Sequence, residues 1–132
     1  MVGGMYRETT QGIEVEAHPQ YLSEHSDPAH QRFLFGYRIL VRNVGKEPAQ
    51  LMSRHWVITD GKGETREVRG PGVVGEQPVI LPGETYEYSS FCPLRTPTGN
   101  MRGTYTMVRS NQLEFQVKIP LFFLRQDSQT LH

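Results

Sequence analysis

Apolar residues recur at every second position along most of this chain. In GIEVEA, Ile13, Val15 and Ala17 share one side and acids take the other. In RFLFGYRILVRNVG, Phe33, Phe35, Tyr37, Ile39 and Val41 share a face, opposite a mixed face of Leu34, Gly36, Arg38, Leu40 and Arg42. A period of two is what a half-buried strand requires. AQLMSRHWVITDGKGETREVRG reads as a hairpin turning at Asp60-Gly61 and Lys62-Gly63. LPGETYEYSSF opens on Pro82-Gly83, a type II turn pair, then alternates Tyr86 and Tyr88. MRGTYTMV alternates Met101, Gly103, Tyr105 and Met107; after a turn at Ser110-Asn111, LEFQVKIPLFF alternates Leu113, Phe115, Val117 and Ile119. No window carries an apolar stripe at helical spacing, and Pro and Gly sit mostly between the runs, as punctuation.

Short strands at regular spacing predict an all-β fold in one domain, a sandwich of two antiparallel sheets. Cys92 is the only cysteine, so there is no disulfide, and the inter-sheet bridge of antibody domains is impossible. The expected fold is therefore an immunoglobulin-like sandwich of the disulfide-free, fibronectin type III kind. Trp56, the only tryptophan, lies in a long alternating run and reads as a core anchor. The domain spans residues 1–132, with its core at about 8–125 and a polar C-terminal tail over 126–132.

Charge and hydropathy narrow the function classes. Lys plus Arg and Asp plus Glu number 14 each, so no global field draws in nucleic acid, and none is expected as partner. The stripe of Phe33, Phe35, Tyr37, Tyr86, Tyr88, Tyr105 and Phe115 then reads as core rather than as a stacking platform for bases. The most apolar stretch, IPLFFL, is far too short to span a membrane. With no secretion signal in MVGGMYRETT and a lone cysteine, a cytoplasmic location is expected.

Chemistry is sparse. GPGVVG, Gly70 to Gly75, spells the G-x-G-x-x-G of dinucleotide-binding loops. That loop works only where a strand ends and a helix begins, so that free N–H groups and the helix dipole meet a phosphate. Here Pro78 and Pro82 would break any such helix, and Val79 and Ile80 favour extended backbone. A dinucleotide fold is excluded. Two readings stay open: an anion nest made by Gly70, Gly72, Val73, Val74 and Gly75, or glycines that simply let a structural loop bend. Arg54, His55 and Arg69 are candidate supports for the nest, with Arg66, Arg95 and Arg102 as further cations. Alternation puts Arg54 on the Trp56 face, at a rim, puts His55 on the other face, and gives Arg66 the opposite parity to Arg69.

His25, Asp27 and His30 in HSDPAH are the one candidate set for a divalent cation, suited to cobalt rather than magnesium. Their spacing matches no metal signature, so a solvated loop is the simpler reading. Cys92 lacks a nucleophile-elbow setting and reads as a small apolar residue.

Three blocks in order, SRHWVITDGKGE, VRGPGVVGEQPVILPGE and LRTPTGNMRGTYTMV, with the ending TLH, resemble the ApaG proteins of bacteria, also called CorD, over about residues 8 to 132. The resemblance implies a fibronectin type III-like sandwich and no established enzymatic activity. It implies a link to cobalt resistance and magnesium efflux, and a gene often beside that of a diadenosine tetraphosphate hydrolase. In eukaryotes the same domain occurs in F-box proteins and a polymerase-delta-interacting protein, as an interaction module. Gly70, Gly72 and Gly75 match the family's glycine loop.

Taken together, these residues lead us to expect a non-enzymatic module without a cofactor that binds a protein partner. The alternative is a small-ligand sensor holding a nucleotide polyphosphate or a divalent cation at the Gly70–Gly75 loop. A hydrolase ranks last, for want of a base and nucleophile in one place. Exposed sheet edges are compatible with a monomer or a dimer.

Overall fold

The computed structural model describes residues 4–126. Its strands are β1 (Tyr6–Thr10), β2 (Ile13–Tyr21), β3 (Phe33–Asn43), β4 (Ala49–Asp60), β5 (Thr65–Pro71), β6 (Val79–Ile80), β7 (Thr85–Leu94), β8 (Thr98–Val108) and β9 (Glu114–Arg125). Two single 3-10 turns, Ser23–His25 and Pro28–His30, join β2 to β3. One sheet has the order β1-β2-β3-β7; the other has the order β5-β4-β8-β9, with β6 also on β4. All pairings are antiparallel. This is the expected immunoglobulin-like sandwich, and Cys92 is a buried free thiol.

The alternation becomes the core as expected. Ile13, Val15, Ala17, Phe35, Ile39, Val41, Tyr105, Met107 and Val117 are fully buried. Each large side chain removed from water in this way contributes about 1.5–3 kcal/mol. Trp56 sits centrally, edge-on to Tyr37 (centroids 5.4 Å apart), Phe122 (5.9 Å) and Tyr105 (6.5 Å). Of the aromatic stripe, Phe33, Phe35, Tyr37, Tyr88 and Tyr105 are buried, while Tyr86 and Phe115 pack against the core from its margin.

Three details depart from the period-two reading. β1 begins at Tyr6, ahead of the expected core boundary near residue 8. Leu113 precedes β9 and is exposed, so the inward set of that strand starts at Phe115. The phase of β9 then changes: Val117 and Ile119 point inward, and so do Phe122 and Leu124. A bulge lies between the pairs Gly103–Ile119 and Met101–Phe122, and it shifts the inward set by one residue. The expected polar tail lies, beyond Gln126, outside the described residues.

The sandwich is laced on one side and open on the other. On the laced side β1 and β2 pack against β9, Lys118 N donates to Thr10 Oγ1 (3.2 Å), and Tyr6 meets Phe122 at 6.2 Å. On the open side the sheets end in β7 and in β5 with β6. There Arg66 Nη2 donates to Pro93 O across the gap at 2.9 Å, and at the other end Asn43 Nδ2 donates to Ile80 O of β6 at 2.9 Å.

Candidate functional site

The glycine loop is an excursion from an interrupted strand. β5 pairs with Ser53–Thr59 of β4, and β6 continues along the same edge against Ala49 and Gln50. Between them the chain leaves the sheet at Gly72 and returns at Pro78. The β4 ladder is irregular there, between Leu51 and Ser53. The neck is tied to β4 by Gly72 N donating to Met52 O (2.8 Å), Gln77 Nε2 to the same oxygen (2.9 Å), Leu51 N to Pro78 O (3.0 Å) and Gln50 Nε2 to Gln77 O (3.0 Å). Gly72 has φ +58°, and a Cβ there would lie 2.1 Å from Glu76 O. No side chain fits such a neck.

Beyond the neck the loop is a small hairpin. Val73 N donates to Glu76 O (2.8 Å) and Glu76 N to Val73 O (2.9 Å). Val73 turns inward and is fully buried, whereas Val74 at the tip is 56% exposed. Val74 and Gly75 both have positive φ, +42° and +83°, the signature of a type I′ turn. No helix follows, in agreement with the exclusion of a dinucleotide fold.

The loop therefore spends most of its polar groups on β4 and on its own hairpin. The amides of Gly72 and Val73 are donors within the fold, and the carbonyls of Pro71 and Gly72 accept from Arg54 Nη1 at 3.0 and 2.9 Å. The amides of Val74 and Gly75 are the ones left at the tip. Arg54 lies on the Trp56 side of β4, as its parity required, and its guanidinium covers Gly70 so closely that a Cβ there would be 3.0 Å away.

His55 and Arg69 do not join it. They lie on the opposite face and meet at Glu67: His55 Nε2 is 2.6 Å and Arg69 Nη2 is 3.3 Å from Glu67 Oε1. The contact with His55, helped by Arg69, holds the Glu67 carboxyl below its usual range despite the opposing effect of desolvation. Of the three expected supports, only Arg54 touches the loop.

The cation candidates separate as well. His30 Nδ1 turns back on Asp27 Oδ2 at 2.7 Å. Among the described residues no three His, Cys, Asp or Glu side chains gather into a metal-binding group. The 3-10 turns direct His25 and His30 instead into an open pocket of about 520 Å³, shared with Arg32, Arg66 and Arg95. That gathering was missed in the sequence. Arg66 and Arg95, candidate cations for the glycine loop, instead meet at the opposite end of β5, Arg66 from β5 and Arg95 from just after β7. Arg102 is exposed on β8, beside the bulge. Cys92 is sealed in: burial pushes its thiol pKa up, and the Arg66 guanidinium, whose Nη2 lies 3.7 Å from Sγ, opposes this only in part.

Two antiparallel sheets open along one side, with polar loops at both ends and no helix that is long and apolar enough to cross a membrane among the described residues, define a β-sandwich module of the fibronectin type III kind. The ApaG domain profile matches residues 23–109. The chain belongs to the ApaG family. It is 51% identical over 120 residues to Protein ApaG of Bordetella pertussis, covering 91% of each chain. It is 50% identical over 120 residues to Protein ApaG of Rhodospirillum centenum, covering 91% of this chain and 92% of that one. The crystal structure of a Bordetella pertussis protein described as ApaA matches with a TM-score of 0.83 at 49% identity, over 91% of this chain and 94% of that one. The C-terminal domain of wzt, with a TM-score of 0.52 at 11% identity over 95% of this chain and 81% of that one, shares the fold alone.

Proposed function

We propose that the chain is a non-enzymatic binding module that takes a protein partner along the β5–β6 edge. One observation carries this reading. The edge ends its sheet, and Val68, Val74, Val79 and Leu81 along it are 38%, 56%, 54% and 47% exposed. An open edge offers backbone donors and acceptors to an added strand, and exposed apolar side chains offer it grip. Val74 supports the reading further. A β-branched residue at positive φ is a steric outlier, and strain of this kind collects where a surface is used.

The absence of a catalytic role is part of the proposal. The sealed Cys92 thiol supports it, since a nucleophile needs a lowered pKa and access. We place the work in the cytoplasm, where a free cysteine stays reduced. The family's link to cobalt resistance and magnesium efflux then runs through the partner.

The test is a photo-crosslinking amino acid placed in living cells at Val74 or Val79, with Glu8 on β1 as the control. The expected result is one common adduct from both edge positions and none from Glu8. Adducts equally abundant at Glu8, or turnover of nucleotides or polyphosphate by the purified protein, would overturn the proposal.

A further inference from the structure

At the end of the sandwich away from the glycine loop, three arginines and two histidines line a single pocket, and we propose that this pocket binds a small phosphorylated ligand. The inference does not rest on the edge reading. β5 separates the two regions: Arg66 is at its start and Gly72 lies just past its end, about 20 Å away at the rise of an extended chain.

The pocket is assembled from four parts of the chain. The β2–β3 connection supplies His25, His30 and Arg32, the start of β3 supplies Phe33 and Leu34, β5 supplies Arg66, and the end of β7 with the residue after it supplies Pro93, Leu94 and Arg95. A volume of about 520 Å³ lies within the range of small-molecule sites, roughly 300–1,000 Å³. Phe33 and Leu94 are buried beneath the opening, so the floor is apolar and the walls are cationic. That division suits an organic group joined to an anion.

The charge is the sharper argument. The chain as a whole has as many acids as bases, yet no Asp or Glu lines this pocket. Glu24 adjoins His25 in sequence but is not among the lining residues, and Asp27 reaches the rim only through His30, whose Nδ1 lies 2.7 Å from Asp27 Oδ2. Asp60 and Glu64 line the adjoining depression, which shares Arg66 and Arg95. Of these, Asp60 Oδ1 already accepts from the amides of Lys62 (2.8 Å) and Glu64 (3.0 Å). Arg66 is anchored by Pro93 O. Arg32 and Arg95 make no side-chain ion pair or hydrogen bond among the described residues. Guanidinium forks match phosphate oxygens two at a time, and a phosphate presents oxygens to several sides at once. Three such forks around one opening fit a phosphate or pyrophosphate ester better than a single carboxylate.

The test is amide NMR and calorimetry with ADP, inorganic pyrophosphate, adenosine and a phosphoserine peptide as probes, on the wild type and on Arg32→Gln and Arg95→Gln. Neither arginine side chain makes a described ion pair or hydrogen bond, and the backbone bonds of Arg32 with Asp27 survive substitution, so both variants keep the wild-type melting temperature. ADP is expected to bind saturably with shifts at Arg32, Leu94 and Arg95. Pyrophosphate is expected to bind more weakly, adenosine not at all, and each variant to lose about tenfold in affinity for ADP. Silence toward ADP and pyrophosphate at millimolar concentration would overturn the proposal, as would affinity unchanged in both variants. Shifts confined to Val74 and Gly75 would move the ligand to the glycine loop and overturn it too. Tighter binding of the phosphoserine peptide than of ADP would overturn the choice of a small molecule. None of these outcomes alters the crosslinks expected at Val74 and Val79.

Discussion

Tyr88 and Tyr105 face each other from opposite sheets, and their hydroxyls hydrogen-bond to one another in the buried interior. Burial pushes both phenols up from their usual pKa, far enough to keep them neutral at any ordinary pH. A polar pair in an apolar core is stable only while each member satisfies the other. Tyr105→Phe leaves one hydroxyl alone and is expected to cost about 1–2 kcal/mol. Tyr88→Phe should behave in the same way. The double variant is expected to cost clearly less than the sum of the two, because neither orphan then remains. Urea unfolding of the four proteins measures this, and a strictly additive cycle would mean that the hydroxyls are satisfied by something else.

The Val74-Gly75 tip shows how an element can carry cost at its surface. Its turn geometry favours Asn-Gly, yet Val occupies the first position at φ +42°. Val74 is exposed, so replacing it forfeits no core contact. Val74→Asn is expected to stabilise the fold by about 1 kcal/mol and to raise the melting temperature by about 4 °C. A lower melting temperature in calorimetry would show that the valine is unstrained. The same loop marks the limit of what could be read beforehand. Glycines and prolines announced a bend and ruled out a helix, but the neck depends on Met52, some twenty residues earlier, and no local pattern reports that. Likewise β3, with five inward residues in strict alternation, was legible. β1 was not, since Tyr6 is its only large apolar residue and packs only partly against the core. The phase change in β9 was hidden because its bulge is defined by pairing with β8. Parity correctly separated Arg66 from Arg69, but parity does not say which strands end side by side, so the cationic pocket had no signature along the chain.

At the scale of the whole molecule, the first sheet is fastened on its outer face by a charged cluster. Glu16 Oε2 lies 2.6 Å from His18 Nε2, and Glu16 Oε1 lies 3.3 Å from both Arg7 Nη2 and Arg42 Nη1. Arg42 is also paired with Glu14. The bond with His18, followed by that with Arg42, lowers the Glu16 pKa against the opposing cost of desolvation. A carboxylate whose pKa is lower in the folded state adds stability above the unfolded value of about 4.3, and that contribution is lost as pH falls through the folded value. Glu16→Gln is therefore expected to cost about 1 kcal/mol near pH 6. The gap to the wild type is expected to narrow as pH falls below about 4.3, through the lowered folded value. Denaturant titrations across that window decide the matter, and a gap that does not change with pH would assign the loss to packing alone.

The interrupted strand has an evolutionary consequence. β5 and β6 are each locked to β4 by their own pairs, and the register of one does not depend on the length of chain that connects them. Residues can be gained or lost at the Val74-Gly75 tip without slipping either segment, provided that Gly72 and Gln77 still close the neck on Met52. The sandwich thus contains a natural insertion point inside a strand. There a lineage can lengthen, shorten or rewrite the tip, and change what it touches, while the packed interior of the sandwich behind it stays as it is.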